Sequence, residues 1–504
     1  MLRVLSLFAA TVLSAQPQAS VESKYQQALE ALQAGDLTSA RVLAESVTTA
    51  APRLAEGFNL LAIVQSRQGD NDGAELNFQR ALRIRPGYLE ARRNLALHFA
   101  RIGQHTRAIT EFQKLLSASP DAGDAVRSLG RLYFLSGNYR DAVTFLERTQ
   151  TVEASAMLGV ACLRLGDLAR ARKVIEALPE DDYGPELASE VWWSRGVLSI
   201  KEGKMEDALG AFHAAVAADP ANLDASLGLA QTHFKLARYP ECLEALAAVP
   251  ASDWDERFLN LQGSAYTKIG KLDLAAASFR RAIQRNPKLE EAHYNLGLVL
   301  LKSGASAHGI QALRSASLRF PKSSDVLTTL GIAYQLAGSL VEAQSTFLRV
   351  IQLGPRRGDG YVLLGSSFME SGNHQKAREH FLHAAELEAT SARTHYLLGI
   401  VHAYLQKPEQ ARASLRRAVE LDEKFCFAYY QLAKVEQDDE NLELARNLSS
   451  QAAACDAEFA QPHFQMSQIL ARLGDRVGSQ EELRRFEEIK AGAPERKYQV
   501  FALP

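Results

Sequence analysis

Between Glu256 and Ala389 the apolar positions recur with the period of a helix, and the pattern restarts every 34 residues. Gly270, Gly304, Gly338 and Gly372 keep that step, as do Pro287, Pro321 and Pro355. A Leu-Gly pair marks the first half of three units (Leu296-Gly297, Leu330-Gly331, Leu364-Gly365). Phe279, Leu313, Phe347 and Phe381 mark the second half. A fixed period of this length signals a repeat array. In residues 290–321, Leu296, Gly297 and Leu300 fall on one helical face. Gly304 is placed to end that helix in a left-handed turn. A second helix carries Leu313 and Ala316 inward until Pro321 stops it. One such hairpin cannot bury its own apolar face, so each unit needs the next.

These residues resemble the tetratricopeptide repeat family, whose unit is a helix–turn–helix with small residues at two contact points, aromatic positions and a closing proline. The resemblance covers nearly the whole chain after its first 20 residues. It implies an all-α fold: a right-handed superhelical solenoid of about 14 repeats. Two irregular joins, Pro179–Pro185 and Val249–Trp254, interrupt the phase. They divide the array into residues 21–178, 187–249 and 256–490, the last closing with a polar capping helix; 491–504 reads as a tail. Past the regular block the turn glycine gives way to Gln406 and Glu440, then returns at Gly474.

Charge and composition narrow the partners. Lys+Arg total 57 against Asp+Glu 59, a net charge of −2, which argues against a general affinity for nucleic acid or anionic lipid. At the N-terminus Arg3 precedes the apolar run Val4–Leu13 and the small residues Ser14 and Ala15. That order reads as a signal peptide over residues 1–15, so the expected location is periplasmic or extracellular. No later stretch is long and apolar enough to span a membrane. Four cysteines are too sparse for a disulfide scaffold, and none forms a C-x-x-C pair.

No phosphate-binding loop, G-x-S-x-G elbow or H-E-x-x-H helix occurs. His374, His380 and His383, with His395 and His402 in the next unit, form the best metal candidate; the favoured reading is solvated histidines on a polar face. We therefore expect no enzyme, no metal and no cofactor. The resemblance implies a concave groove lined by first-helix residues. In the upstream part the matching phase selects Arg93, Arg127 and Arg131, which suit acidic segments. Downstream it selects Tyr294, Lys302, Tyr396, Tyr404, Tyr430, Lys434 and Phe464, aromatics interspersed with charge. Asn59 and Asn94 only hint at the carboxylate clamp of chaperone-tail binders. Asn94 and Asn295 only hint at the asparagine ladder of the O-linked sugar transferases. In phase, Cys426 opens a first helix and Cys455 closes the second of the same unit, so antiparallel packing brings them within reach of a disulfide; the alternative is two unrelated small apolar residues. The expected function is an exported protein–protein interaction scaffold or adaptor that holds a partner segment in its groove. The alternative is an accessory subunit of an envelope polysaccharide or secretion assembly.

Overall fold

The computed structural model describes residues 15–179 and 184–492. The candidate signal peptide, Ala15 apart, lies outside the described residues. So do 180–183 of the first irregular join and the tail from 493 onward. The described residues form 28 helices and no strand, α1 to α28 in chain order, from α1 (Ala15–Ala34) to α28 (Arg476–Gly492). The expected all-α repeat fold is what the chain adopts. It divides into two compact units, Met1–Arg238 and Tyr239–Pro504. Within each unit, helices pair as hairpins and each hairpin packs on its neighbour.

In the second unit the hairpin of α19 (Ser324–Leu336) and α20 (Leu340–Leu353) shows how the period is built. Gly331 on α19 faces the ring of Phe347 on α20, and a Cβ added there would lie 2.4 Å from Phe347 Cε1. The missing side chain lets the helices close over a ring that is 0 % exposed. Burying such a side chain is worth about 2–3 kcal/mol. Gly263 with Phe279 and Gly365 with Phe381 repeat the device; Gly297 with Leu313 and Gly399 with Leu415 use leucine instead. The turn is closed by Gly338, at φ 76°. Its N–H donates to the Gln335 carbonyl at 2.9 Å, and the Ser339 N–H reaches back to the Tyr334 carbonyl at 2.8 Å. That pair of bonds is the left-handed helix cap, which satisfies carbonyls the helix end would leave bare.

The same left-handed turn persists where glycine is lost. Gln406 holds φ 55° and Glu440 φ 64°. In the first unit Ala237 does so at 58°, a substitution that the glycine pattern did not reveal. Each non-glycine residue there costs on the order of 1 kcal/mol. Glu440 recovers part of this through an ion pair with Arg472 in the following repeat, at 3.3 Å.

The join at Val249–Trp254 is packed rather than open. Trp254 is buried, its indole N–H donates to the Val249 carbonyl at 3.0 Å, and its ring stacks on Phe258. The first unit uses the same hairpin logic, with Phe78 and Phe112 buried 34 residues apart and Phe212 packed on Gly196. Beneath its surface Ser66 Oγ lies 2.8 Å from His98 Nδ1 and also accepts from Arg101 at 2.9 Å.

A buried charge network ties α24 (Pro408–Leu421) to α25 (Cys426–Asp438). The Glu436 side chain is only 1 % exposed. Arg412 Nε lies 2.8 Å from one carboxylate oxygen, and Asn441 donates to the other at 2.8 Å. Arg412 also binds Glu409 and Asp439. The acidic turn Asp438–Glu440 is thus tied down on two sides, by Arg412 on Asp439 and Arg472 on Glu440. Burial pushes the Glu436 carboxyl up, but the bonds from Arg412 and Asn441 overcome that and hold it below its usual range. The closing helix α28 buries no residue, and its surface carries i,i+3 and i,i+4 ion pairs such as Arg484 with Glu481 and Glu488. That polarity suits a cap at a solenoid end.

Candidate protein-binding surface

Three first helices of the second unit, α23 (Ala392–Tyr404), α25 and α27 (Gln461–Arg472), border a hollow of about 570 Å³. Its walls are rings: Tyr396 from α23, Phe427 and Tyr430 from α25, and Phe425 and Phe459 from the turns between repeats. Tyr396 and Phe425 lie 4.9 Å apart by centroid, Phe427 and Phe459 4.8 Å, and Tyr430 and Phe459 5.4 Å. All three pairs are inclined rather than parallel, the favoured contact of quadrupolar rings. Polar groups stand at the margin: Arg393, Asp422, Gln431 and Gln461. Burial raises the Tyr396 phenol to about 12 and also pushes Tyr430 up. Both therefore stay neutral near pH 7.

Beside this hollow Cys426 and Cys455 are joined in a disulfide, with Cα atoms 5.5 Å apart. The bond ties the first residue of α25 to the last of α26 (Leu442–Cys455). By chain entropy, closing a loop with a sequence separation of 29 contributes about 3.6 kcal/mol. Cys162 and Cys242 are free and buried; burial pushes their thiols up to about 11 and about 12, which makes them unreactive core residues.

The structure brings two groove residues expected from sequence, Tyr396 and Tyr430, into that one hollow. Tyr396 is only 6 % exposed, so it forms the wall and presents no free tip. Tyr294 lines a different, smaller hollow of about 360 Å³ with Thr328, Arg357 and Asp359. Tyr404 is exposed but stacks on His374 at 4.7 Å, and Phe464 leans on Phe486 of the cap at 5.2 Å. Lys302 and Lys434 are exposed to solvent.

In the first unit Arg93 pairs with Asp124 at 2.6 Å and Arg131 with Glu153 at 3.3 Å; Arg127 is exposed. Two of these three guanidiniums already hold an internal carboxylate, which lowers their attraction for an acidic segment. Asn94 donates to Asn59 at 3.1 Å, an amide pair between neighbouring first helices. The aromatics Phe425, Phe427 and Phe459 escaped the sequence reading because the phase of the first helix selects its middle, whereas these rings sit at or beside the inter-repeat turns. An excess of aromatics at those turns is the signal that would have found them.

The five histidines do not share a solvated face: His374, His380 and His383 pack against rings, His395 lies by the Ala389 carbonyl at 3.1 Å, and His402 is buried with Nδ1 3.3 Å from Ser414 Oγ. His380 stacks on Phe368 at 5.4 Å, and His383 meets Tyr361 edge-on at 4.4 Å. Among the described residues no group of three or more His, Cys, Asp or Glu is placed to hold a metal ion. Burial lowers the pKa of His98, His293, His380 and His402. In the unfolded chain each titrates near 6.5. The unfolded state therefore binds more protons in the window just below that value, and stability falls as pH falls through it. Glu436 and Glu75, held below their usual range, lose their contribution only at lower pH. The apparent melting temperature by circular dichroism is expected to drop between pH 7.5 and 5.5, and His402→Gln should flatten the drop. A rising or flat profile in the parent protein would sink this account.

Sequence profiles described as tetratricopeptide repeat match residues 25–88, 93–154, 152–177, 199–265 and 357–424, and a TPR repeat profile matches 263–304. Protein CTR9 homolog of Arabidopsis thaliana is 33 % identical over 119 residues, 23 % of this chain and 11 % of that protein, so only a small part of that relative is matched. Among solved structures, the APC/C hetero-tetramer Cut9-Hcn1 is 15 % identical, covering 90 % of this chain and 98 % of that one at TM-score 0.37. MamA is 20 % identical over 32 % of this chain and 95 % of its own at TM-score 0.31. YrrB, described as a TPR protein with an unusual peptide-binding site, is 19 % identical over 36 % and 94 % at TM-score 0.31. No helix among the described residues is long and apolar enough to cross a membrane. The recurrence of the profile along the chain, in phase with the glycine turns and glycine–phenylalanine contacts, makes this chain a member of the tetratricopeptide repeat family.

Proposed function

We propose that the protein is an exported interaction scaffold whose second unit grips an extended segment of another protein in the aromatic hollow between α23, α25 and α27. Family membership supports the general role, since tetratricopeptide repeat arrays are protein-interaction scaffolds and generally not enzymes. The observation that carries the specific reading is the cluster of five rings gathered on neighbouring first helices and turns. Aromatic anchors in a water-excluding site are where binding energy concentrates. A site built on packed helices costs little to order on binding. Export is supported by the leader-like order of Arg3, Val4–Leu13 and Ala15, and by a disulfide that an oxidising compartment would preserve.

The test is crosslinking in the native envelope, read by mass spectrometry, with Tyr430→Ala as comparison. Tyr430 is half-buried on the wall of the hollow, and its loss should reduce recovery of crosslinked partners at least fivefold. Equal recovery from both proteins would remove the hollow from the binding surface. Recovery from the cytosolic fraction alone would remove export.

A further inference from the structure

The rings of the hollow are carried by the two segments that the disulfide joins. Phe425 and Phe427 flank Cys426 directly. Phe459 follows Cys455 by four residues, in the turn that enters α27. Tyr430 meets Phe459 across the gap between the two segments, as does Phe427. Four of the five rings therefore depend for their spacing on the relative placement of the α25 start and the α26 end. The Cys426–Cys455 bond fixes that placement. Nothing in the core of the hairpin requires a crosslink there: Ala445, Leu448 and Ala452 already pack α26, as their equivalents do in repeats without one.

The same two segments set the charge around the hollow. The turn after α24 carries Asp422 and Glu423, and the turn after α26 carries Asp456 and Glu458. Lys424 in the first turn and Arg393 on the α23 wall are the opposing cations. Arg393 and Glu458 have interactions of their own, so the charges that remain in these turns are Asp422, at the rim itself, with Glu423 and Asp456 against Lys424, which leaves an acidic margin on the turn side of the aromatic floor. Such a margin repels acidic segments and steers basic ones toward the site.

We propose that the Cys426–Cys455 disulfide is the positioning element of this hollow, and that the hollow takes an extended segment with aromatic anchors flanked by Lys or Arg. This rests on the scaffold reading above and adds to it the class of partner and the role of the crosslink. The rings supply faces and edges for an aromatic anchor, Gln431 and Gln461 offer amides to the ligand backbone, and the acidic turns receive the flanking cations. The crosslink contributes by holding the rings in this mutual arrangement before the ligand arrives, so that less ordering is needed at binding.

The experiment uses the full chain and a fluorescein-labelled nonapeptide with Phe-Pro-Trp at its centre and a Lys pair at each end, read by fluorescence anisotropy. Two control peptides carry Glu pairs at the ends or an Ala centre. Oxidised protein should bind the Lys-flanked peptide at least tenfold more tightly than either control. The double variant Cys426→Ser/Cys455→Ser should bind it at least fivefold more weakly while keeping its helical circular dichroism. If that variant does not fold, parent protein is reduced with dithiothreitol at a temperature where its helical signal is native. The two sulfurs then take two electrons and two protons, the reagent closes to its cyclic disulfide, and the same loss of affinity is expected. The surface variant Asp422→Lys/Glu423→Lys should erase the preference for Lys over Glu flanks. Unchanged affinity without the crosslink overturns its positioning role, and equal binding of Lys- and Glu-flanked peptides overturns the partner class. Failure of the Lys-flanked peptide to bind at all overturns both. The scaffold reading stands or falls separately, on envelope crosslinking with Tyr430→Ala.

Discussion

Arg412→Met is expected to destabilise the C-terminal repeats by about 3–5 kcal/mol, because it leaves the Glu436 carboxylate buried without its cation. Glu436 is 1 % exposed at its side chain and Arg412 12 %, so water cannot replace the lost partner. Methionine keeps the volume and the stem contacts of arginine, which isolates the charge as the cause. Arg416 approaches the same oxygen at 3.4 Å but is half exposed, and it restores only a fraction of the interaction. The double variant Arg412→Met/Glu436→Gln should recover more than half of the loss. Neutral glutamine removes the uncompensated charge, and its carbonyl can still accept from Asn441. Urea unfolding of the two variants and the parent protein decides the matter. A single-variant loss below about 1 kcal/mol would show that Glu436 finds water or takes up a proton at little cost.

Phe347→Ala should cost about 3–5 kcal/mol, since the ring is fully buried and its removal opens a cavity in a rigid hairpin. Gly331→Ala alone should cost about 1–3 kcal/mol, because the new methyl lands 2.4 Å from that fully buried ring and something must shift to admit it. In the double variant the two changes offset one another. The methyl enters space that the ring has vacated, and alanine is the better helix former by about 1 kcal/mol. The combined loss should therefore be clearly smaller than the sum of the single losses, a coupling on the order of 2 kcal/mol. Additive losses in a double-mutant cycle would mean that the glycine serves the backbone and not the ring.

Much of the fold was legible because it is written twice, in spacing and in residue type. Gly270, Gly304, Gly338 and Gly372 predict left-handed turns by their step, and all four hold φ between 76° and 82°. Gln406 and Glu440 were recognisable as turn residues only because their neighbours set the phase; Ala237, where no such contrast was drawn, was not. The Arg412–Glu436 pair was hidden for a physical reason. A charged residue inside a helix usually faces water, and its partner lies 24 residues away on another helix. The aromatic hollow was half legible. Tyr396 and Tyr430 follow from helix phase, but Phe425, Phe427 and Phe459 take their places from the path of the turns, which no periodicity encodes. For the Arg-rich upstream set, the residue types were legible but not their engagement: Asp124 and Glu153 occupy two of the guanidiniums.

Arrays of this kind are held together mainly by contacts between neighbours, so they come apart from their ends. The last of the described helices, α28, contributes no buried side chain, so little holds it against fraying. Loss of α28 exposes α27, and loss of α27 would carry Gln461 away from the hollow. The hairpin next in line is the one closed on itself by a covalent loop. Unzipping from the C-terminal end therefore meets its first non-negotiable stop at α25 and α26. A protease that trims the frayed end would be left facing a hairpin whose two segments, even when cut free of their neighbours, stay joined.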